Sequence, residues 1–304
     1  TNTPWITTFE LSLPRWGEDE MGIKLLSNDS CKRIIAMSES ARQIQLRILK
    51  DKFPSYLEHI ETKLEVIHPY QSKLINSWSE KGITLEGVLK FALVGNDFFR
   101  KGGREILSVF LEFSQLGKKF ELILITNLQA NDYASGATIE DKLKAEQVIN
   151  ENSNHITWLK NIPNSEVLKI IRTCHVGLLP TYADTYGFSV LEFQSLACPV
   201  ITTDVSALPE INNSQKGWII SVPKDLDREG FYRTPEDRHI MSEAIKKGLR
   251  QILNEIFFNP ELIREKGTRA LEDLDRLHSP QKNSMRYFQI YQEIINQKNL
   301  IYKD

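Results

Sequence analysis

The stretch Leu178–Glu210, LLPTYADTYGFSVLEFQSLACPVITTDVSALPE, holds the residues best able to do chemistry. Its pattern is strand, loop, helix, strand, loop. Open parallel sheets bind ligands beyond the carboxyl ends of their strands, so a site is expected on the Thr181–Gly187 loop. Asp184 lies on that loop, and Glu192 lies eight positions later on the helix that follows. A helix starting near Gly187 leaves the N–H groups of Gly187, Phe188 and Ser189 pointing outward, an arrangement that attracts a diphosphate. Carboxylates flanking an anion site can accept hydrogen bonds from sugar hydroxyls. On spacing alone a plainer reading has the stronger claim: Glu192 is a dipole-favoured acid near a helix start and Asp184 an ordinary loop residue.

The elements around this stretch follow a regular rhythm from Val88 onward. KFALVG, ELILIT, HITWL, HVGLLP, PVITT and GWIISV predict strands. Helices are expected over Gly102–Leu116, Asp141–Ile149, Ser165–Arg172 and Phe188–Leu196, the first with Ile106, Leu107, Phe110 and Phe113 on one face. Strands alternating with helices over short connections imply right-handed βαβ units in a parallel sheet. The opening third predicts a strand at PWITTF, a loop from Leu13 to Gly22 and a strand over Arg33–Met37. Ser38 is read as an N-cap for a helix over Ala41–Lys50, and KLEVIHPY holds a further strand. That is α/β character with too few strands for a complete doubly wound sheet. The tail predicts helices His239–Phe257, Pro260–Leu277 and Pro280–Lys298, broken at prolines.

The totals exclude several classes. The 304 residues suit one large or two modest domains, and 41% apolar with 26% charged residues is ordinary for a globular chain. A net charge of −2 gives no cationic field for nucleic acid. Cys31, Cys174 and Cys198 lie far apart, which implies buried, reduced thiols and a cytoplasmic setting. His68, His155, His175, His239 and His278 show no metal-ligand spacing, no Asp-x-Asp pair suggests a divalent site, and a nicotinamide fingerprint is absent. Arg42, Arg47, Lys50 and Lys52 read as a solvated helix face, with contact to an anionic membrane surface as the minority reading.

In order along the chain, several motifs resemble one family. These are Phe91-Ala92-Leu93-Val94-Gly95 with Lys101-Gly102, Asp184-x7-Glu192 enclosing Tyr186-Gly187-Phe188, Pro199–Thr203, and Pro209-Glu210. Together they resemble the group 1 (family 4-like) retaining glycosyltransferases over most of Leu89–Val222, and weakly over Pro280–Tyr302. The resemblance implies the GT-B fold, in which two Rossmann-like domains with parallel sheets face a cleft; here the N-terminal one looks incomplete. The expected layout is a partial acceptor-side domain over 1–85, a nucleotide-sugar-binding domain over 86–279, and a C-terminal helix over 280–304 crossing back. The family's first strands have no counterpart, and the chain begins at Thr1. About a quarter of a typical member is therefore expected to lie upstream.

Carried over residue by residue, the resemblance implies that Glu192 holds the ribose, Asp184 holds hydroxyls of the donor sugar and Lys101 faces the diphosphate. A lysine at a helix start opposes the dipole, which an anion bound there would explain. Gly95, Asn96, Arg100, Tyr186, Gly187, Phe188 and Ser189 join the expected donor site, and Leu159 and Lys160 correspond to a stretch that lines the base in relatives. Glu10 takes the place of a family His at the reaction centre, where it would orient a hydroxyl or receive the acceptor proton; capping the next turn explains it equally well. Asp184 replaces the usual Glu and Asn96 a frequent phosphate-binding Arg, a charge that Arg100 could supply.

The implied function is retaining transfer of a hexose from a UDP- or GDP-type nucleotide-sugar to a carbohydrate or lipid-linked acceptor. The expected setting is cell-surface polysaccharide or glycolipid synthesis, in the cytoplasm or peripherally on the inner membrane face. No cofactor or metal is expected. The alternatives are a non-catalytic sugar-nucleotide-binding relative and a same-fold epimerase. A phosphorylase would need a pyridoxal-bearing lysine, for which there is no motif.

Overall fold

The computed structural model describes residues 3–14 and 19–301, with the side chains described as far as 296. The chain divides into two units, one of residues 1–72 with 276–304 and one of residues 73–275.

The first unit carries a parallel sheet in the order β1-β2-β3: β1 (Trp5–Phe9), β2 (Cys31–Ala36) and β3 (Leu64–Val66). Of the loop expected from Leu13 to Gly22, residues 15–18 lie outside the described residues. Its end is helical: α1 (Asp19–Ser27) buries Ile23 and Leu26 and opens with two acidic residues that favour a helix start. Ser38 caps α2 (Glu39–Lys52) as expected, its side chain accepting from Ala41 N–H at 3.0 Å. On the basic face of α2, Arg42 pairs with Glu39 at 3.1 Å. A short α3 (Leu57–Glu61), unforeseen in the sequence, packs Ile60 into a core with Phe9, Ile34 and Leu49. The C-terminal helix Pro280–Ile301 belongs to this unit through Arg33–Glu293 at 2.7 Å and Asn283 Nδ2 donating to His68 O at 2.8 Å.

The second unit alternates strands and helices: β4 (Leu89–Val94), α4 (Gly103–Gln115), β5 (Phe120–Ile125), α5 (Ile139–Glu151), β6 (Ile156–Leu159), α6 (Asn164–Thr173), β7 (Val176–Leu179), α7 (Phe188–Gln194), β8 (Val200–Thr203), α8 (Leu208–Ile211) and β9 (Trp218–Ile220). Two long helices follow, α9 (Pro235–Phe258) and α10 (Glu261–Leu277). The six strands are parallel, in the order β6-β5-β4-β7-β8-β9. This is the doubly wound arrangement, and the chain reverses direction across the sheet between β4 and β7. Apolar strands buried on both faces demand it: Phe91, Leu93, Leu122, Leu124 and Leu178 are buried on one face, and Ala92 and Ile123 on the other. Phe110 bridges α4 to the sheet, with its ring 5.0 Å from Phe91 and 5.1 Å from Phe120. At Gly177 an added Cβ would stand 2.6 Å from the Phe193 ring, so α7 packs directly on β7.

Three boundaries also change. The boundary expected at residue 85 falls at 72, because residues 73–88 are tied to the second unit. Leu74 N–H donates to Ser195 O at 2.9 Å, the buried Lys81 ammonium to Leu196 O at 2.8 Å, and Arg172 to Glu80 O at 2.7 Å. The later boundary falls at 275 rather than 279. Helix α9 begins at Pro235, not His239, because Thr234 and Asp237 form a reciprocal cap with proline in the first turn.

Candidate functional site

The sequence places glycines where β4 and β7 end, and two of them bring the two loops together. Gly95 follows β4 with φ +136, and a Cβ there would stand 2.5 Å from Lys101 Cε. The lysine stem passes where any other side chain would sit. Gly102, at φ +79, caps α4, and a Cβ would stand 2.2 Å from Pro180 O. The β4–α4 turn therefore lies directly on the loop after β7.

Hydrogen bonds then lock that loop. Tyr182 N–H and the Thr181 hydroxyl both donate to Arg100 O at 2.9 Å, and the Thr203 hydroxyl of β8 donates to Thr181 O at 2.7 Å. Asp184 is thereby carried to the cations. Its Oδ2 lies 3.3 Å from Lys101 Nζ and 3.8 Å from Arg100 Nη1, with the Lys101 and Asp184 side chains only 13% and 12% exposed. Arg100 also donates to Ala183 O and to Asp97, and its guanidinium lies 5.7 Å from the Tyr133 ring. Burial works against its charge, but the hydrogen bond to Asp97 and the neighbouring acids outweigh that and raise its pKa above the ordinary value. The positive charge expected from Arg100 is present beside Asp184.

Next to this cluster lies a cleft of about 260 Å³, lined by Gly95, Asn96, Thr126, Asn127, Asn161 and Asn164 among others. It opens at the carboxyl ends of β4 and β5 and before α6, close to the lower limit of ligand clefts (~300 Å³). Asn127 Nδ2 donates to Asn161 Oδ1 at 2.9 Å across it. At its rim, Asn164 Nδ2 donates to Glu192 Oε1 at 2.8 Å, so the carboxylate on α7 meets the start of α6.

The fold therefore gathers Lys101, Arg100, Asp184, Gly95, Asn96 and Glu192. Other expected residues fall elsewhere. Tyr186 is fully buried with its ring 5.2 Å from Phe188, and is not part of the cleft lining. Gly187 supplies φ +91 where a Cβ would strike Leu208, and Phe188 stands 47% exposed. Helix α7 has seven residues, two fewer than the span expected to end at Leu196. So short a helix sums few peptide dipoles, which weakens the anion attraction expected at its start. Leu159 and Lys160 do not line the cleft; the Lys160 ammonium lies 3.5 Å from the Trp158 ring centroid, and Asn161 and Ile162 line the cleft instead. Glu10 is the first residue after β1, in the other unit. Thr126, Asn127, Asn161 and Asn164 were missed, although their positions just after β5 and β6 are the signal that would have found them.

Among the described residues no group of three or more His, Cys, Asp or Glu side chains could hold a metal, and no helix is long and apolar enough to cross a membrane. The pair Asp225–Asp227 forms a turn, with Asp225 Oδ1 accepting from Asp227 N–H at 2.8 Å and Glu229 N–H at 2.9 Å.

The family model for glycosyl transferases group 1 matches residues 76–248, more than half of the chain. The chain belongs to this family. Among curated proteins this glycosyl transferase finds no match. Solved structures share its fold: a glycosyltransferase from Rickettsia africae ESF-5 has 15% identity and a TM-score of 0.66 over 95% of this chain and 70% of that one. Sucrose-phosphate synthase from Thermosynechococcus elongatus has 15% identity and a TM-score of 0.63 over 96% and 68% of the two chains. Anabaena HepE, in complex with UDP and glucose, has 13% identity and a TM-score of 0.61 over 97% and 71%. With its two parallel sheets, this glycosyl transferase has the GT-B fold, and the three-stranded sheet matches a reduced N-terminal domain.

Proposed function

We propose that this glycosyl transferase moves a hexose from a UDP- or GDP-type nucleotide-sugar to a carbohydrate or lipid-linked acceptor, with retention at the anomeric carbon and without a metal. The observation that carries the reading is Lys101 and Arg100 paired with Asp184 at the point where the strand order reverses, beside the cleft that Glu192 borders. Breaking the bond between the anomeric carbon and the diphosphate oxygen leaves added negative charge on the departing diphosphate. Lys101 and Arg100 neutralise that charge, and Asp184, exchanged from its cations, accepts hydrogen bonds from the sugar hydroxyls. Glu192 accepts from the ribose. The acceptor oxygen forms the new bond to the anomeric carbon and gives up its proton to the departing diphosphate oxygen, so that charge and bonds balance. Neighbours solved with UDP-glucose, and with UDP and GlcNAc, support this donor class. Another, trehalose-6-phosphate synthase, is described as transferring with retention. The acceptor is proposed to serve cell-surface polysaccharide or glycolipid synthesis.

The test is thermal unfolding with UDP, GDP and ADP. A nucleotide at ~100 times its dissociation constant adds ~2.7 kcal/mol, a clear rise in Tm. Stabilisation by UDP or GDP is expected; no shift with any of the three overturns the reading.

A further inference from the structure

One buried acid in the second unit has no part in the donor contacts above. Glu105 lies in the first turn of α4, and its carboxylate is wholly enclosed. Oε1 accepts from the Tyr182 hydroxyl at 2.8 Å and from the Ser242 hydroxyl of α9 at 2.8 Å, with Arg104 Nε at 3.4 Å. Oε2 has no hydrogen-bond partner among the described residues.

A buried carboxylate with one unsatisfied oxygen is worse for stability than an apolar side chain of similar volume. Apolar residues surround it on the same helix, where Ile106, Val109 and Phe110 are buried, so leucine would suit the pattern. What the acid secures is a grip on Tyr182. That residue also donates its N–H to Arg100 O, and two residues further on Asp184 meets Lys101 and Arg100. The Thr181–Asp184 loop is thus fastened at a ring hydroxyl and at the backbone, on both sides of the β4–α4 turn.

We propose that Glu105 is a positioning residue: through Tyr182 it fixes the separation of Asp184 from Lys101 and Arg100, and Ser242 orients the carboxylate that does so. The inference rests on the proposed function, because those separations matter only when a diphosphate and a sugar take the place of the Asp184 ion pairs. Stability is given up at a buried position in return for a site already set when the donor arrives.

The decisive variant replaces the network with apolar groups: Glu105→Leu, Tyr182→Phe and Ser242→Ala together. A structural role predicts a lower Tm. A positioning role predicts an equal or higher Tm, with affinity for UDP or GDP by calorimetry and kcat on a nucleotide-sugar panel each lowered about tenfold or more. Glu105→Gln, which keeps the Oε1 acceptor, is expected to restore most of both. A folded triple variant with wild-type affinity and kcat overturns the inference. If the triple variant does not fold, Tyr182→Phe alone decides: unchanged kcat overturns the inference, and a fall in kcat at unchanged Tm supports it. Wild-type protein that binds neither UDP nor GDP overturns the proposed function, and this inference with it. Nucleotide binding by the wild type and the triple variant alike overturns this inference alone.

Discussion

At the amino ends of the six strands, His175 accepts from Lys90 N–H at Nδ1 (2.8 Å) and donates from Nε2 to Thr84 O (2.9 Å). Nearby, the buried Lys81 ammonium donates to Leu196 O at 2.8 Å. At the carboxyl ends, Lys101 and Arg100 meet Asp184, and Glu192 meets Asn164. Similar groups occupy both ends, but their partners differ in kind. Backbone groups of neighbouring strands and turns cannot leave without unfolding the sheet, so His175 and Lys81 are structural. Burial pushes the pKa of each below its ordinary value, and their partners compensate for lost water. In the proposed function, side-chain partners at the other end are exchanged for phosphate and hydroxyl groups. A cation held by an exchangeable acid is what a donor site needs; a cation held by a carbonyl is a fastening.

The largest effect expected from breaking this contrast is on turnover. Lys101→Ala should lower kcat by ~10²–10³, the loss typical of one donor to developing negative charge, with little change in Tm. Wild-type turnover in this variant would place the carboxyl-end cations among the fastenings. Glu192→Ala removes a charged acceptor worth ~1.5–3 kcal/mol, so calorimetry with UDP or GDP should show a loss of roughly 10–100-fold in affinity. At the opposite end, His175→Leu strands Lys90 N–H and Thr84 C=O, costing about 1–3 kcal/mol for each group left unpaired. Nucleotide affinity should be unchanged. Denaturant unfolding and calorimetry on the same sample separate the two ends.

The smallest expected effect is a pH slope. Folding lowers the His175 pKa from its ordinary 6.5, so below about pH 6.5 the unfolded chain binds a proton that the folded chain refuses. The His175 contribution to stability is therefore complete above that pH. It is lost as pH falls toward the depressed folded value, at no more than ~1.4 kcal/mol per pH unit. His175→Leu should remove that component of the slope; an unchanged slope would show that other groups carry it.

The strand–helix rhythm from Leu89 to Ile220 was legible because each element needs only its own periodicity. The buried run FELILI and the α4 face of Ile106, Phe110 and Phe113 carry it without reference to distant residues. Ser38 as a cap was legible for the same local reason, whereas the cap at Thr234 was overlooked and α9 was started too late. The segment 73–85 was assigned to the wrong unit because its attachment depends on Ser195, Leu196 and Arg172, about a hundred positions away. Leu159 and Lys160, expected to line the base, sit two and one residues before Asn161, where the cleft lining after β6 begins.

By itself the sequence determined the alternating α/β pattern, the glycines at 95, 102 and 187, and the order of Lys101, Asp184 and Glu192 along the chain. Local periodicity and backbone sterics act over a few residues and can be read there. Only the tertiary structure decided that Lys101 reaches Asp184, that five amide and hydroxyl side chains following β4, β5 and β6 share one cleft, and that Glu105 holds Tyr182. Those are contacts between residues tens of positions apart, created when parallel strands in an order unlike their sequence order bring their carboxyl ends together.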